Sequence, residues 1–230
     1  MPLVALPNHF SGQSVQCSKQ GTRAIAFVIV GCDRAVAEKV LSGDTDLKLS
    51  ENSYNWLGSG IYFWVDSPQR ALEWAIKAWK NNRVKEPYII GAHINLGLCL
   101  NFTDYGVMSE MKEVYKLAKA AADATGVDLP KNETLRENSI YMKRFLDCLV
   151  IESVHEARKT VGQPAYDSVL GVFEEGKRIY AGSSIREDTH IQVAVRNPEI
   201  ITAYFRVKGF QIPHHPGSDS APAAVRSSPR

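Results

Sequence analysis

Nowhere do the 230 residues approach the ~20 uninterrupted apolar positions that cross a bilayer, and Met1–Ser14 carries no basic stretch leading into an apolar core. A membrane partner and a secretory leader are therefore not expected, and the chain reads as soluble and cytoplasmic. Cysteine is scarce and scattered: Cys17, Cys32, Cys99 and Cys148 form no CxxC pair. That spacing argues against a zinc site or a disulfide frame and suits buried or incidental thiols in a reducing compartment, with no metal expected. Neither sign of charge dominates. With 27 basic and 25 acidic residues the net charge is +2, which neither demands nor excludes a nucleic-acid partner. A GxGxxG turn and an internal repeat are both missing, which argues against a Rossmann dinucleotide fold and a solenoid.

What is present is a 44% hydrophobic chain, long enough for one large domain. Ala24–Val30 is an unbroken apolar run ending at Gly31, the pattern of a strand buried on both faces and central in its sheet. Asp33 stands at an N-cap position, and Val36, Ala37, Val40 and Leu41 give a helical stripe that Gly43 can stop. Ser67-Pro68 opens a second helix, with Ala71, Leu72, Ala75, Ile76 and Trp79 on one face as far as about Asn82. Tyr88–Leu96 is the next strand, expected to extend through Leu98 and Leu100. Two core-packing helices are marked by Met108, Met111, Tyr115, Ala118 and Ala122, and by Met142, Phe145, Leu149, Val150, Ser153 and Ala157. Strands at Val169–Phe173, Thr189–Val195 and Ile200–Val207 close the fold. From about Gln211 the composition is that of a disordered tail, residues 211–230.

The most informative stretch is Trp56-Leu57-Gly58-Ser59-Gly60-Ile61-Tyr62-Phe63-Trp64, a two-glycine turn joined to an aromatic strand. Glycines spaced by one residue admit a partner where a Cβ would collide. Period two puts Tyr62 and Trp64 on one face and Ile61 and Phe63 on the other, so one face can pack while the other receives a ligand. Tyr62 is either such a ligand-facing ring or a core tyrosine with its hydroxyl tied to a neighbour. The tryptophans read first as a packing cluster, with Trp56 also placed to cover a ligand or stack a nucleobase. His93 reads as a satisfied core histidine.

The order of these features resembles the ADP-ribosyltransferase superfamily, in its diphtheria-toxin and poly(ADP-ribose) polymerase branch. A strand enters Gly31-Cys32-Asp33 and a helix. Gly58-Ser59-Gly60-Ile61-Tyr62-Phe63 leads to a second helix, and a late His190-Ile191-Gln192 strand precedes a last apolar strand. The resemblance runs from about residue 24 to 207, leaving 110–160 outside it. It implies an α+β fold of split β-sheets forming a cleft, in one domain over 1–210 with a helical insertion about 108–160. NAD would bind in the cleft as a substrate. Tyr62 would stack the nicotinamide, the backbone at Gly31 and Cys32 would hold its amide, and Gly58 and Gly60 would shape the turn against it.

Two positions depart from the family pattern. Val30 stands where a histidine usually contacts the NAD ribose and adenosine hydroxyls, so that contact falls to Arg23 or Arg34. Gln192 stands where the family has its catalytic glutamate. Glutamine keeps the hydrogen bond to a ribose hydroxyl and loses the charge that stabilises an oxocarbenium-like transition state, a loss of about 10²–10³ in rate. His190, two residues earlier on the same strand face, and Glu187 with Asp188 before it are the replacements at hand; the alternative is a solvated turn with a surface histidine. The resulting expectation is a mono-ADP-ribosyltransferase that transfers ADP-ribose to a macromolecular acceptor (protein, DNA or RNA), with a neutralising partner protein left open. Its rivals are a weak or inactive module of the same fold that binds NAD, ADP-ribose or nucleic acid, and a structural or inhibitory partner acting through the middle helices.

Overall fold

The computed structural model describes residues 25–134 and 141–210; the expected tail and Arg23 lie outside them. Among the described residues the fold is mixed α+β, with one seven-stranded mixed sheet, a two-stranded ribbon and four α-helices. Strand β1 (Ile25–Asp33) leads into helix α1 (Arg34–Ser42), and β2 (Ile61–Val65) into α2 (Pro68–Lys80). Next come β3 (Pro87–Asn95), β4 (Cys99–Asn101), α3 (Tyr105–Thr125), the ribbon β5 (Glu133–Thr134) and β6 (Tyr141–Lys143), and α4 (Phe145–Thr160). The chain then closes with β7 (Ser168–Phe173), β8 (His190–Val195) and β9 (Ile201–Arg206).

Local chemistry explains several of these boundaries. The Asp33 carboxylate accepts the Ala35 N–H at 3.0 Å, and Gly43 ends α1 in the left-handed region at φ 80°. Pro68 starts α2 as expected, but Ser67 makes no side-chain cap bond; the proline supplies the start, since its ring presets φ and it has no N–H to satisfy. β3 does not run on through Leu98 and Leu100. Gly97, at φ 60°, turns the chain, the Asp167 carboxylate takes the Leu98 N–H at 2.8 Å, and Cys99–Asn101 joins β7 in parallel instead. Met142 falls in β6 rather than in the helix that follows.

The sheet order is β4-β7-β8-β2-β1-β3-β9. The two expected sheets are thus joined into one, yet the join is short. β1 pairs with β3 at nine positions from Ile25–Asn95 to Asp33–Pro87, but with β2 only at Val28–Val65 and Ile29–Trp64. Continuing that register would set Gly31 opposite Tyr62, and there β1 and β2 no longer pair. Asp66 N–H donates to the Phe27 carbonyl at 3.3 Å just past the other end of the seam.

Paired residues share a sheet face. On one face Val28, Ile61, Phe63, Val193, Val195, Ile90, Ala92 and Ile94 pack with Ala37 and Val40 of α1 and bridge the seam. The other face is covered in two places. Ala71 and Leu72 of α2 lie over Ile29, Trp64 and Ile89, while α3 and α4 bring Val114, Ile151 and Val154 onto Leu100, Val169 and Ala194. β1 is interior to the sheet, but it is not buried on both faces throughout: Phe27 is 54% exposed, its ring against His93 and Phe205 beyond the reach of α2.

Candidate functional site

The second face of β2 and β8, between the parts covered by α2 and by α4, is the candidate site, called the trough below. Register fixes its levels. Tyr62 lies opposite Ala194, and Trp64 opposite Gln192, which on its other side faces Gly171. His190, one strand repeat away, lies opposite Phe173. Gly31, Tyr62, Gln192 and His190 therefore share this face, with Gly31 and Tyr62 flanking the point where β1 and β2 stop pairing. The Gln192 side chain is half-buried and makes no hydrogen bond among the described residues.

Tyr62 holds the turn before it. Its hydroxyl accepts the Leu57 N–H at 2.8 Å and donates to the Gly58 carbonyl at 2.7 Å, and burial pushes the phenol well above its ordinary range. The ring is half-buried beside Leu57 and Ala194. The turn has a second fastening that sequence reasoning missed. Glu152 of α4 and Arg196 form a bidentate pair (2.7 and 2.9 Å) that grips Ser59 from both sides, the carboxylate taking its N–H at 2.6 Å and the guanidinium donating to its carbonyl at 3.0 Å. Burial tends to raise the Glu152 carboxyl, but the Arg196 and Ser59 hydrogen bonds outweigh it and hold the carboxyl below its usual value.

The glycines admit protein. A Cβ on Gly58 would lie 2.6 Å from Glu152 Oε1, and one on Gly60 would lie 3.0 Å from the Val195 carbonyl oxygen. At Gly31 the Ala71 carbonyl and the Trp74 and Ala75 side chains occupy that space, so α2 rests directly on β1. Cys32 points to the opposite face against the α1 core, where burial and then Asp33 push its thiol up to about 12. A thiol so raised is a poor nucleophile. Arg34 is paired with Glu86 and lies over the Tyr88 ring.

His190 is neither a surface histidine nor a wet one: its side chain is 1% exposed. Its Nδ1 lies 2.6 Å from the Asp188 carbonyl oxygen, and Glu175 Oε2 is 3.8 Å from the same nitrogen. Arg70 of α2 ties this corner together, reaching Glu175 at 3.3 Å, Asp188 at 3.5 Å and Glu73 at 3.0 Å. Glu187 is exposed, its N–H donating to the Lys177 carbonyl at 2.9 Å. On the α4 side the Trp56 ring packs on Phe173 with centroids 4.8 Å apart, and the Arg144 guanidinium lies 4.0 Å over Trp56. Trp64 instead contacts Trp74, so the tryptophans divide between the two walls of the trough. Arg70 and Glu175 are 105 residues apart, and nothing in their sequence neighbourhoods marks either as a partner of His190.

Two cavities lie outside the trough. One of about 590 Å³ runs between α3 and α4, lined by Val114, Leu117, Phe145, Leu149 and Ala157 among others. The second, about 420 Å³, is polar and lies behind the glycine turn at Ser59, Glu152, Asp167 and Arg196. Among the described residues no group of His, Cys, Asp and Glu could hold a metal ion, and no helix is long and apolar enough to cross a membrane. Comparison of the chain with protein-family models, with curated proteins and with solved structures finds no match.

Proposed function

We propose that the trough is an NAD site of ADP-ribosyltransferase type and that the protein transfers ADP-ribose from NAD to a macromolecular acceptor, protein or nucleic acid. The observation that carries this reading is the end of the β1–β2 pairing at Gly31 and Tyr62, on the face where half-buried Gln192 lies without a hydrogen-bond partner among the described residues. Where two adjacent strands stop pairing, backbone N–H and C=O groups turned toward the missing neighbour can take a ligand amide, which is the need of a carboxamide ring. Tyr62 and Trp64 supply aromatic surface beside it. Gln192 can hydrogen-bond a ribose hydroxyl from the floor, and His190 is the nearest basic group on the same strand. The glycines of the turn serve the site indirectly: they let the turn seat against α4 and β8, and so fix where Tyr62 stands.

Gln192 also favours a second reading, a module that binds NAD or ADP-ribose without turning it over, because an amide adds no charge to the floor. Incubation with NAD labelled in the adenosine moiety, together with a cell extract, separates the two. Release of nicotinamide with label on protein or nucleic acid supports the transferase. Binding by calorimetry with no release supports the module, and neither result leaves the NAD reading without support.

A further inference from the structure

Beyond Phe173 and His190 the strands β7 and β8 continue as a hairpin over residues 175–188. Its rungs run from the Asp188 N–H to the Glu175 carbonyl at 3.1 Å, from the Glu187 N–H to the Lys177 carbonyl at 2.9 Å and from the Ile179 N–H to the Ile185 carbonyl at 3.2 Å. The tip closes where the Ser183 N–H donates to the Tyr180 carbonyl at 3.1 Å, with Gly182 at φ 82°. The Ser183 hydroxyl accepts the Ile185 N–H at 3.0 Å, which fixes the tip a second time.

Charge along this hairpin is segregated. Residues 176–186 hold Lys177, Arg178 and Arg186 and no acidic residue. The carboxylates gather at the base, where Glu175 and Asp188 are tied to Arg70, and Glu174 and Glu187 are exposed. Arg178 and Arg186 stand directly opposite each other as an antiparallel pair. Like charges so placed repel. Each guanidinium donates to a backbone carbonyl, Arg178 to Ser183 and Arg186 to Gly176, and neither meets a carboxylate among the described residues. An anion shared by the two would relieve that repulsion, and the planar fork of a guanidinium matches a phosphate. Period two sets Tyr180 on the same face, about 7 Å nearer the tip. Its side chain is 63% exposed and its hydroxyl has no hydrogen bond among the described residues, so neither packing nor bonding explains the ring; Ile179 and Ile185 beside it are exposed as well.

We propose that this hairpin binds single-stranded nucleic acid, with Arg178 and Arg186 holding a backbone phosphate between them and Tyr180 stacking a neighbouring base. Lys177 adds to the positive field of the tip. A single strand fits better than a duplex because its bases are open to a ring. A bilayer fits less well, since the foremost residues, Ala181, Gly182, Ser183 and Ser184, are small and mostly polar and form no apolar wedge. An acidic protein segment would use the arginines and leave Tyr180 without a flat partner. The surface needs no NAD, so it stands or falls apart from the reading of the trough.

The test measures anisotropy of short labelled oligo-uridine RNA, oligo-thymidine DNA and a duplex of the same length with the full chain, without NAD, over a series of salt concentrations. Wild type is compared with Tyr180→Ala, Tyr180→Phe, the Arg178→Gln/Arg186→Gln double variant and, as a control, Lys112→Gln on an exposed position of α3. Melting temperatures are taken for each. Tyr180→Ala is expected to weaken single-strand binding about tenfold with an unchanged melting temperature, and Tyr180→Phe and Lys112→Gln to match wild type. The double variant should weaken it at least about tenfold and flatten the slope of log affinity against log salt by about 1. Binding of either single strand supports the proposal, and the tighter one names the strand. Absence of single-strand binding overturns it, as does a duplex that binds as tightly with no effect of Tyr180→Ala. Loss of binding in the double variant that comes only with a lower melting temperature, while Tyr180→Ala binds like wild type, overturns it in favour of a structural role. Tighter binding to phosphatidylserine vesicles or to polyglutamate, sensitive to the same variants, overturns it in favour of a membrane or an acidic protein.

Discussion

His155, on α4, is fully buried with neither ring nitrogen hydrogen-bonded among the described residues. Burial, and then the Arg196 charge, lower its pKa from 6.5 to about 4. The folded protein therefore holds this imidazole neutral where the unfolded chain would protonate it. Stability contributed by the neutral form is present above about pH 6.5, falls as pH drops toward 4, and levels off below that, a change of about 3 kcal/mol. Urea midpoints measured between pH 7.5 and 4 should follow this course in wild type, and His155→Leu should flatten it. Tyr62 invites a second substitution at this scale. Tyr62→Phe keeps the ring but strands the Leu57 N–H and the Gly58 carbonyl, so it should cost about 1–3 kcal/mol in a denaturation curve. If the ring stacks nicotinamide, the same variant should retain NAD affinity, whereas Tyr62→Ala should lose it.

At the scale of elements, the glycine turn depends on α4. Gly58 sits at φ 74°, a conformation that a side chain strains, and a methyl there meets Glu152 and Ile151. Gly43 has a similar φ of 80° but open space around it. Gly58→Ala should therefore destabilise by about 2–4 kcal/mol and Gly43→Ala by about 1 kcal/mol, as thermal melts will show. If the second cost equals the first, backbone strain rather than the α4 contact sets it. The difference between these two positions also marks what was legible in the sequence. Asp33, Gly43 and Pro68 act on residues within a turn of themselves, so the start and stop of α1 and the start of α2 could be read directly. The aromatic strand and its alternation were readable for the same reason. What fills the space above Gly58 comes from residue 152, and what surrounds His190 comes from residues 70 and 175. Such neighbours are chosen by sheet register and helix docking, which local spacing does not encode. Gln192 and His190 could be placed on one face from period two; Arg70, Glu175 and the Glu152–Arg196 clamp could not.

For the whole molecule, the seven strands behave as two groups, β4-β7-β8-β2 and β1-β3-β9, joined by the short β1–β2 seam. The apolar layer of Val28, Phe63, Ile90 and Val193 crosses that seam on the α1 side, so the groups are held together mainly by side-chain packing, with few hydrogen bonds between them. Backbone amides there should open more easily than those at the nine-position pairing of β1 with β3, because local opening needs fewer ladder bonds to break. Hydrogen exchange followed by mass spectrometry should show peptides covering Gly31–Asp33 and Gly60–Tyr62 exchanging faster than those covering Ile89–Ile94. Saturating NAD should slow the first two if its amide takes up the backbone groups left where the pairing ends, and leave the third unchanged. Protection spread evenly over all three would mean that NAD stabilises the fold globally rather than closing the seam. No change anywhere would remove the end of the seam as the ligand's place.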